Sequence, residues 1–259
     1  MRNIWVVRHG ERVDHVIKNW RNTPDCVRWD DPPLSERGLR QADEVGKFLA
    51  SEPIEHVFTS PFTRCVQTTS SILANFHDAP NVRVEPGFGE NLSSCADPPG
   101  RPPMKDILAI HSSVEEGYKP IYEVLPKEPR REDGCADRID FVLREVLDKY
   151  PNGDILIVSH GSPIASVHLA LIGSWNYVGL CTIGKIVQDG ESFFCDYYNE
   201  KQHLTDKTNL RDHLNGKTKT GGSRRRLSPR FVTSHVLARD KMLGQRAQAN
   251  IQSELWSSE

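Results

Sequence analysis

Arg8, His9 and Gly10 stand directly behind the chain's first apolar run, Ile4-Trp5-Val6-Val7, and Glu11-Arg12 follow at once. The order sets an imidazole and two guanidiniums at the C-terminal end of a short buried strand, the end at which open α/β sheets bind ligands. A neutral imidazole there can attack phosphorus while arginine forks hold the phosphate oxygens. Two further segments repeat the plan. Asp154-Ile155-Leu156-Ile157-Val158-Ser159 runs into His160-Gly161, and the apolar stretch from Ile54 to Phe58 runs into Thr59-Ser60-Pro61-Phe62-Thr63-Arg64. An Arg-His-Gly triplet alone arises readily by chance; three strand ends carrying basic or imidazole side chains define one pocket if the strands are parallel neighbours.

Such a pocket needs elements that end together, and the hydrophobic pattern supplies them. Short apolar runs alternate with helical patterns, which predicts a three-layer α/β sandwich with a mostly parallel central sheet flanked by helices. Strands are expected at 3–7, 54–59, 82–84 and 154–159, with Leu180–Val187 and Phe193–Tyr198 as a closing hairpin at the sheet edge. Ser35 reads as the cap of a helix whose apolar stripe is Leu39, Ala42, Val45, Phe48 and Leu49. Ser60-Pro61 reads as the cap and first turn of the next helix, carrying Val66, Thr69, Ile72 and Leu73. Asp133–Tyr150 and Pro163–Ile172 are the remaining helices. Residues 13–33, with Trp20 and Trp29, form an irregular insertion, and the proline-rich 93–130 a lid or substrate loop.

Composition bounds the class. The 259 residues carry 37% hydrophobic residues and a net charge of -2, and no apolar run approaches the length needed to span a membrane. A first strand starting at residue 3 leads us to expect no targeting segment ahead of it. The six cysteines form no C-x-x-C pair, which argues for free thiols in a reducing cytosol and against a zinc site; Cys65 and Cys181 read as core residues. Residues 1–212 read as one domain; from His213 onward nine Lys/Arg stand against three Asp/Glu, a basic tail in which 215–230 lack apolar periodicity and read as disordered. Arg224-Arg225-Arg226-Leu227-Ser228-Pro229 fits a phosphorylation site or a weak nuclear signal, and without an aromatic platform it does not make a nucleic-acid-binding surface.

Four blocks in order, Arg8-His9-Gly10-Glu11-Arg12, Pro33-Leu34-Ser35-Glu36-Arg37-Gly38-Leu39-Arg40-Gln41-Ala42, Ser60-Pro61-Phe62-Thr63-Arg64-Cys65-Val66-Gln67-Thr68 and Val158-Ser159-His160-Gly161, resemble the histidine phosphatase (phosphoglycerate mutase-like) superfamily. Within it, Arg8 to Asp14 and Arg83-Val84-Glu85-Pro86-Gly87 look most like the phosphatase domains of the T-cell ubiquitin ligand (suppressor of T-cell receptor signalling) group and the ecdysteroid-phosphate phosphatases. The resemblance implies a metal-independent, cofactor-free phosphomonoesterase. His9 would be the nucleophile that becomes phosphohistidine, Arg8, Arg12 and Arg64 the phosphate clamp, and His160 a second imidazole that also binds the phosphoryl group. Gly161 follows His160 where the acid-phosphatase branch has an aspartate, so the acid must come from elsewhere. Glu90, after the flexible Gly87-Phe88-Gly89, is the expected general acid and base, with Glu85 and Asp97 as rivals. Asn91 stands where those relatives have an aromatic. The substrate is expected to be a phosphorylated small molecule or of phosphotyrosine type, the location cytoplasmic or nuclear, and pairing through a sheet edge would make a homodimer. A phosphoglycerate-type mutase or a catalytically weak phospho-ligand-binding protein are the alternatives.

Overall fold

The computed structural model describes residues 1–212 and the short strand Arg224–Arg226; the rest of the tail, including Ser228, lies outside the described residues. Its centre is a sheet whose strands are, in chain order, β1 (Arg2–Arg8), β2 (Ile54–Thr59), β3 (Val82–Val84), β4 (Asp154–Ser159), β5 (Ile183–Asp189), β6 (Ser192–Glu200) and β7 (Arg224–Arg226). In space the order is β3-β2-β4-β1-β5-β6-β7. The first four in that row are parallel neighbours, and β5, β6 and β7 extend them as an antiparallel edge. The backbone of Arg224–Arg226 pairs with Ser192–Phe194, which corrects the expectation that 215–230 lack regular structure throughout.

Period-two alternation builds the layers. On β1, Ile4 and Val6 join the core formed with α5 (Ala136–Lys149) and α6 (Gly161–Ile172), while Trp5 and Val7 face α2 (Glu36–Leu49) and α3 (Thr63–Leu73). On β4, Ile155 and Ile157 take the first face and Leu156 and Val158 the second. This is the expected three-layer sandwich. The insertion at 13–33 holds only α1 (Val13–Val16) and one 3₁₀ turn, with Trp20 packed inside and Trp29 partly exposed beneath Arg21; the 93–130 segment contains α4 (Met104–Ile110). No described helix is long and apolar enough to cross a membrane.

Two helix starts differ in their outcome. Ser35 caps α2 as expected, its Oγ accepting from Gly38 N at 3.0 Å. Leu39 and Phe48 are nevertheless exposed, because the buried stripe runs through Gly38, Gln41, Ala42, Val45, Gly46 and Leu49. The next helix does not begin at Pro61. Its N-cap position is Phe62, and Asp31 supplies the capping carboxylate, accepting from Thr63 N at 2.8 Å and Thr63 Oγ1 at 2.7 Å.

Candidate active site

The four parallel strands finish at one edge, and β1, β2 and β4 hand their next residues to the same place. The ladder continues one step past the strand ends: His9 N donates to Ser159 O at 3.0 Å, Ser60 N to Val158 O at 3.0 Å, and Glu85 N to Thr59 O at 2.9 Å. His9, Ser60 and His160 are thereby neighbours despite lying up to 151 positions apart in the chain. The loop after β1 is then pressed onto the start of α2. A Cβ on Gly10 would lie 2.5 Å from Gly38 O, and one on Gly38 would lie 2.1 Å from Glu11 O, so the two backbones touch with no room for side chains. Glu11 works away from the pocket, accepting from Ser35 Oγ at 2.8 Å and Arg37 Nη1 at 2.7 Å.

His9 is buried, and its Nδ1 lies 2.8 Å from Gly10 O. A carbonyl only accepts, so Nδ1 carries the proton and Nε2 keeps its lone pair. Burial first, then the charges of Arg64, His160, Arg8 and Arg12, holds the His9 pKa well below the usual histidine value. The ring is therefore neutral at pH 7, the state that can attack phosphorus. His160 is also buried and stands edge-on to His9, with ring centroids 5.3 Å apart. Arg64 Nη2 donates to its Nδ1 at 3.1 Å, which places the His160 proton on Nε2, donating to Ser60 Oγ at 2.8 Å. Burial, followed by Arg64 and the other guanidiniums, keeps this ring neutral too.

The arginines are built in rather than draped over the surface. Arg64 is buried at the start of α3, where helix N-terminal amides favour an anion. Its Nη1 donates to Asp30 O at 3.1 Å, Asp31 lies 3.6 Å away, and its buried Nε has no protein acceptor. Arg8 donates to Val178 O at 2.8 Å and lies over the Tyr177 ring; its Nε is likewise buried and unpartnered. Buried donors of this kind suit an oxyanion ligand. Arg12 sits further out, its fork engaged by Asp14 at 2.9 and 2.7 Å.

Glu90 reaches the same cluster: Oε2 is 3.5 Å from His160 Nδ1 and 3.7 Å from Arg64 Nη2, with the side chain still 19% exposed. Its rivals do other work. Glu85 is fully buried and accepts from Tyr118 Oη, Ile121 N, Tyr122 N and Gly87 N; burial pushes its pKa up against those bonds. Asp97 is exposed on its loop. The Cys65 thiol lies 3.5 Å from His160 Nε2, but burial pushes it up to about 12, so it stays protonated and is no nucleophile. All six cysteines are unbridged. One donor atom each from His9, Glu90 and His160 lie within 4.8 Å of one another, close enough for a metal ion. Three guanidiniums lower the pKa of both histidines, however, and that same field repels a cation and attracts an anion.

The sequence blocks therefore lead to one pocket, with four contributors not foreseen. Ser60 was read as a helix cap and instead accepts from His160 Nε2, whose proton Arg64 places there. Asp30 and Asp31 support Arg64, a role that their adjacency before Pro32-Pro33 hints at only weakly. Arg138 lies in the helix expected at 133–150, and its partners are far away in sequence.

The fold and this cluster together define a phosphate-handling α/β protein of the phosphoglycerate mutase-like type. The chain belongs to the histidine phosphatase superfamily (branch 1), whose pattern it matches over residues 4–200. It is 30% identical over 208 residues to ubiquitin-associated and SH3 domain-containing protein A of Homo sapiens, covering 66% of this chain and 31% of that protein. It is 26% identical over 207 residues to the ecdysteroid-phosphate phosphatase of Drosophila melanogaster, covering 66% of this chain and 27% of that protein. The chain thus spans about a third of the length of these curated relatives. Among solved structures, the ecdysone phosphate phosphatase of the silkworm, in complex with tungstate, superposes with a TM-score of 0.59 at 23% identity, over 73% of this chain and 90% of that one. The mycobacterial glucosyl-3-phosphoglycerate phosphatase follows with a TM-score of 0.55 at 18% identity, over 78% of this chain and all of that one. Both likenesses establish the fold.

Proposed function

We propose that this chain is a phosphomonoester hydrolase that works through a phosphohistidine on His9. The observation that carries the reading is the His9 ring: buried, neutral, its Nδ1 tied to Gly10 O, and its Nε2 free beside three guanidiniums. Nε2 attacks phosphorus while Arg8, Arg64 and, from the rim, Arg12 hold the equatorial oxygens as charge spreads over them. Glu90 protonates the departing alkoxide, then takes a proton from the water that cleaves the phosphorus–nitrogen bond. His160 carries its proton on Nε2, and its hydrogen bond to a phosphoryl oxygen would replace the one to Ser60. No metal or cofactor takes part in this scheme; the field of the three arginines supports that. Phosphorylated small molecules are the substrate class, as the name of the ecdysteroid-phosphate relative suggests. Phosphotyrosine-type esters fit the same chemistry. Residues 1–212 form the catalytic unit, with 213–259 as an appended tail, and two copies pair through a sheet edge.

Hydrolysis of p-nitrophenyl phosphate in EDTA, beside His9→Ala, tests the reading. Turnover that survives chelation and vanishes in the variant is expected. Turnover that needs a metal, or that persists without His9, would refute it.

A further inference from the structure

The loop that carries Glu90 contains Gly87 and Gly89, and its own sequence ties it locally by one 3₁₀ turn at Pro86–Phe88. Glu85 Oε1 accepts from Gly87 N and Ser159 Oγ donates to Phe88 O, each at 2.7 Å, and the widest grip comes from a side chain of α5. Arg138 is completely buried, and its guanidinium fans out over the loop backbone. Nη1 donates to Gly87 O at 2.6 Å and to Gly89 O at 3.0 Å, and Nη2 donates to Glu90 O at 2.8 Å. The fan is itself oriented by Glu128, whose Oε1 accepts from Arg138 Nε at 2.6 Å while Oε2 accepts from Leu92 N at 2.7 Å. Asn91 closes the grip from the loop side, donating to Arg131 O at 2.8 Å and Glu132 O at 3.1 Å. The peptides on both sides of Glu90 are therefore pinned to a buried plane; of its carboxyl, Oε1 accepts from Asn91 N at 2.9 Å, and Oε2 meets His160 and Arg64 only at 3.5 Å or more.

We propose that Arg138 is a positioning residue for the acid–base step, setting through the carbonyls of Gly87, Gly89 and Glu90 the angle at which the Glu90 carboxyl meets the leaving group. The proposal rests on Glu90 being the acid. A guanidinium suits the task because its rigid fork bonds several carbonyls at once, and a lysine ammonium of equal charge cannot reproduce the plane. The Asn91 amide that helps to grip the loop stands where the resemblance led one to expect an aromatic.

The test compares kcat/KM for phenyl phosphate, whose basic phenoxide needs a proton to leave, with that for p-nitrophenyl phosphate, whose p-nitrophenolate leaves unaided. kcat/KM reports the steps through phosphorylation of His9, so the later hydrolysis does not mask the acid. Arg138→Lys is expected to lower kcat/KM for phenyl phosphate by about 10²-fold, the usual worth of a general acid, and for p-nitrophenyl phosphate by less than about tenfold. Inhibition by inorganic phosphate should be unchanged, and the variant should cost nothing further in a Glu90→Gln background. Equal losses on both substrates, weakened phosphate inhibition, or full additivity with Glu90→Gln would overturn the proposal. If Arg138→Lys does not melt cooperatively, Glu128→Gln, which loosens the fan but keeps its cation, decides by the same criteria. Glu90→Gln measured alongside separates the two levels. No selective loss on phenyl phosphate in that variant refutes Glu90 as the acid, whereas a selective loss there but not in Arg138→Lys refutes the positioning role alone.

Discussion

Replacing Arg64 by Met keeps the length of the side chain and removes its fork. In the free protein Arg64 holds Asp30 O and His160 Nδ1, and leaves a buried Nε without acceptor. A phosphoryl group offers oxygens to that Nε and to one terminal nitrogen, two charge-assisted bonds at roughly 1.5–3 kcal/mol each. The expected loss is about 3–6 kcal/mol of transition-state stabilisation, or roughly 10²–10⁴ in kcat/KM. The cost to folding is smaller. The variant deletes an unsatisfied buried donor, and Asp31, whose carboxyl burial already pushes up in pKa, takes a proton rather than standing as an unpaired charge. Initial rates with p-nitrophenyl phosphate, titration calorimetry with inorganic phosphate and a melting curve separate these effects. Arg64→Lys should recover charge but not the fork, and fall between. A folded Arg64→Met protein within tenfold of the wild type in kcat/KM would refute the assignment of Arg64 as a phosphate ligand.

Other consequences follow from buried groups. His168 is fully buried and burial lowers its pKa to about 4, whereas an unfolded histidine titrates near ~6.5. The unfolded chain then binds more protons between those values, so stability falls as pH drops through that window, by roughly 2 kcal/mol at pH 5 from this residue. Urea melts at pH 7 and pH 5 should show His168→Asn to be less acid-sensitive than wild type; equal slopes would contradict the argument. Gly38→Ala forces a methyl against Glu11 O and should cost about 1–3 kcal/mol in a thermal melt; an unchanged melting temperature would show that the α2 contact is slack. Ser60→Ala strands the buried Nε2–H of His160 and should destabilise by about 1–3 kcal/mol in a urea melt; an unchanged midpoint would contradict the bond's assignment.

The strand ends were the legible part of this chain, because a buried parallel strand is a short apolar run and the next residue is the one it presents. His9, Arg64 and His160 were found that way, and the resemblance added Glu90. The Ser60 misreading has a physical cause: Ser-Pro before an apolar helix is also a good cap sequence, and only the ladder bond from Ser60 N to Val158 O reveals that the strand geometry runs on. Leu39 and Phe48 were assigned to the core because apolar residues at helical spacing suggest a buried stripe, but the tight backbone contact at Gly38 rotates that face of α2 away from them. Arg138 was invisible because its ligands are main-chain carbonyls about 50 positions upstream, and carbonyls leave no mark in side-chain patterns.

The central claim is covalent, and one experiment addresses it directly. Glu90→Gln mixed rapidly with p-nitrophenyl phosphate should release a stoichiometric burst of p-nitrophenolate, since the leaving group needs no acid while hydrolysis of the phosphoenzyme lacks its base. Alkaline quench and peptide mass spectrometry should then place the phosphoryl group on His9. Steady hydrolysis without a burst, with no phosphoryl group on His9 at any time, would contradict the account.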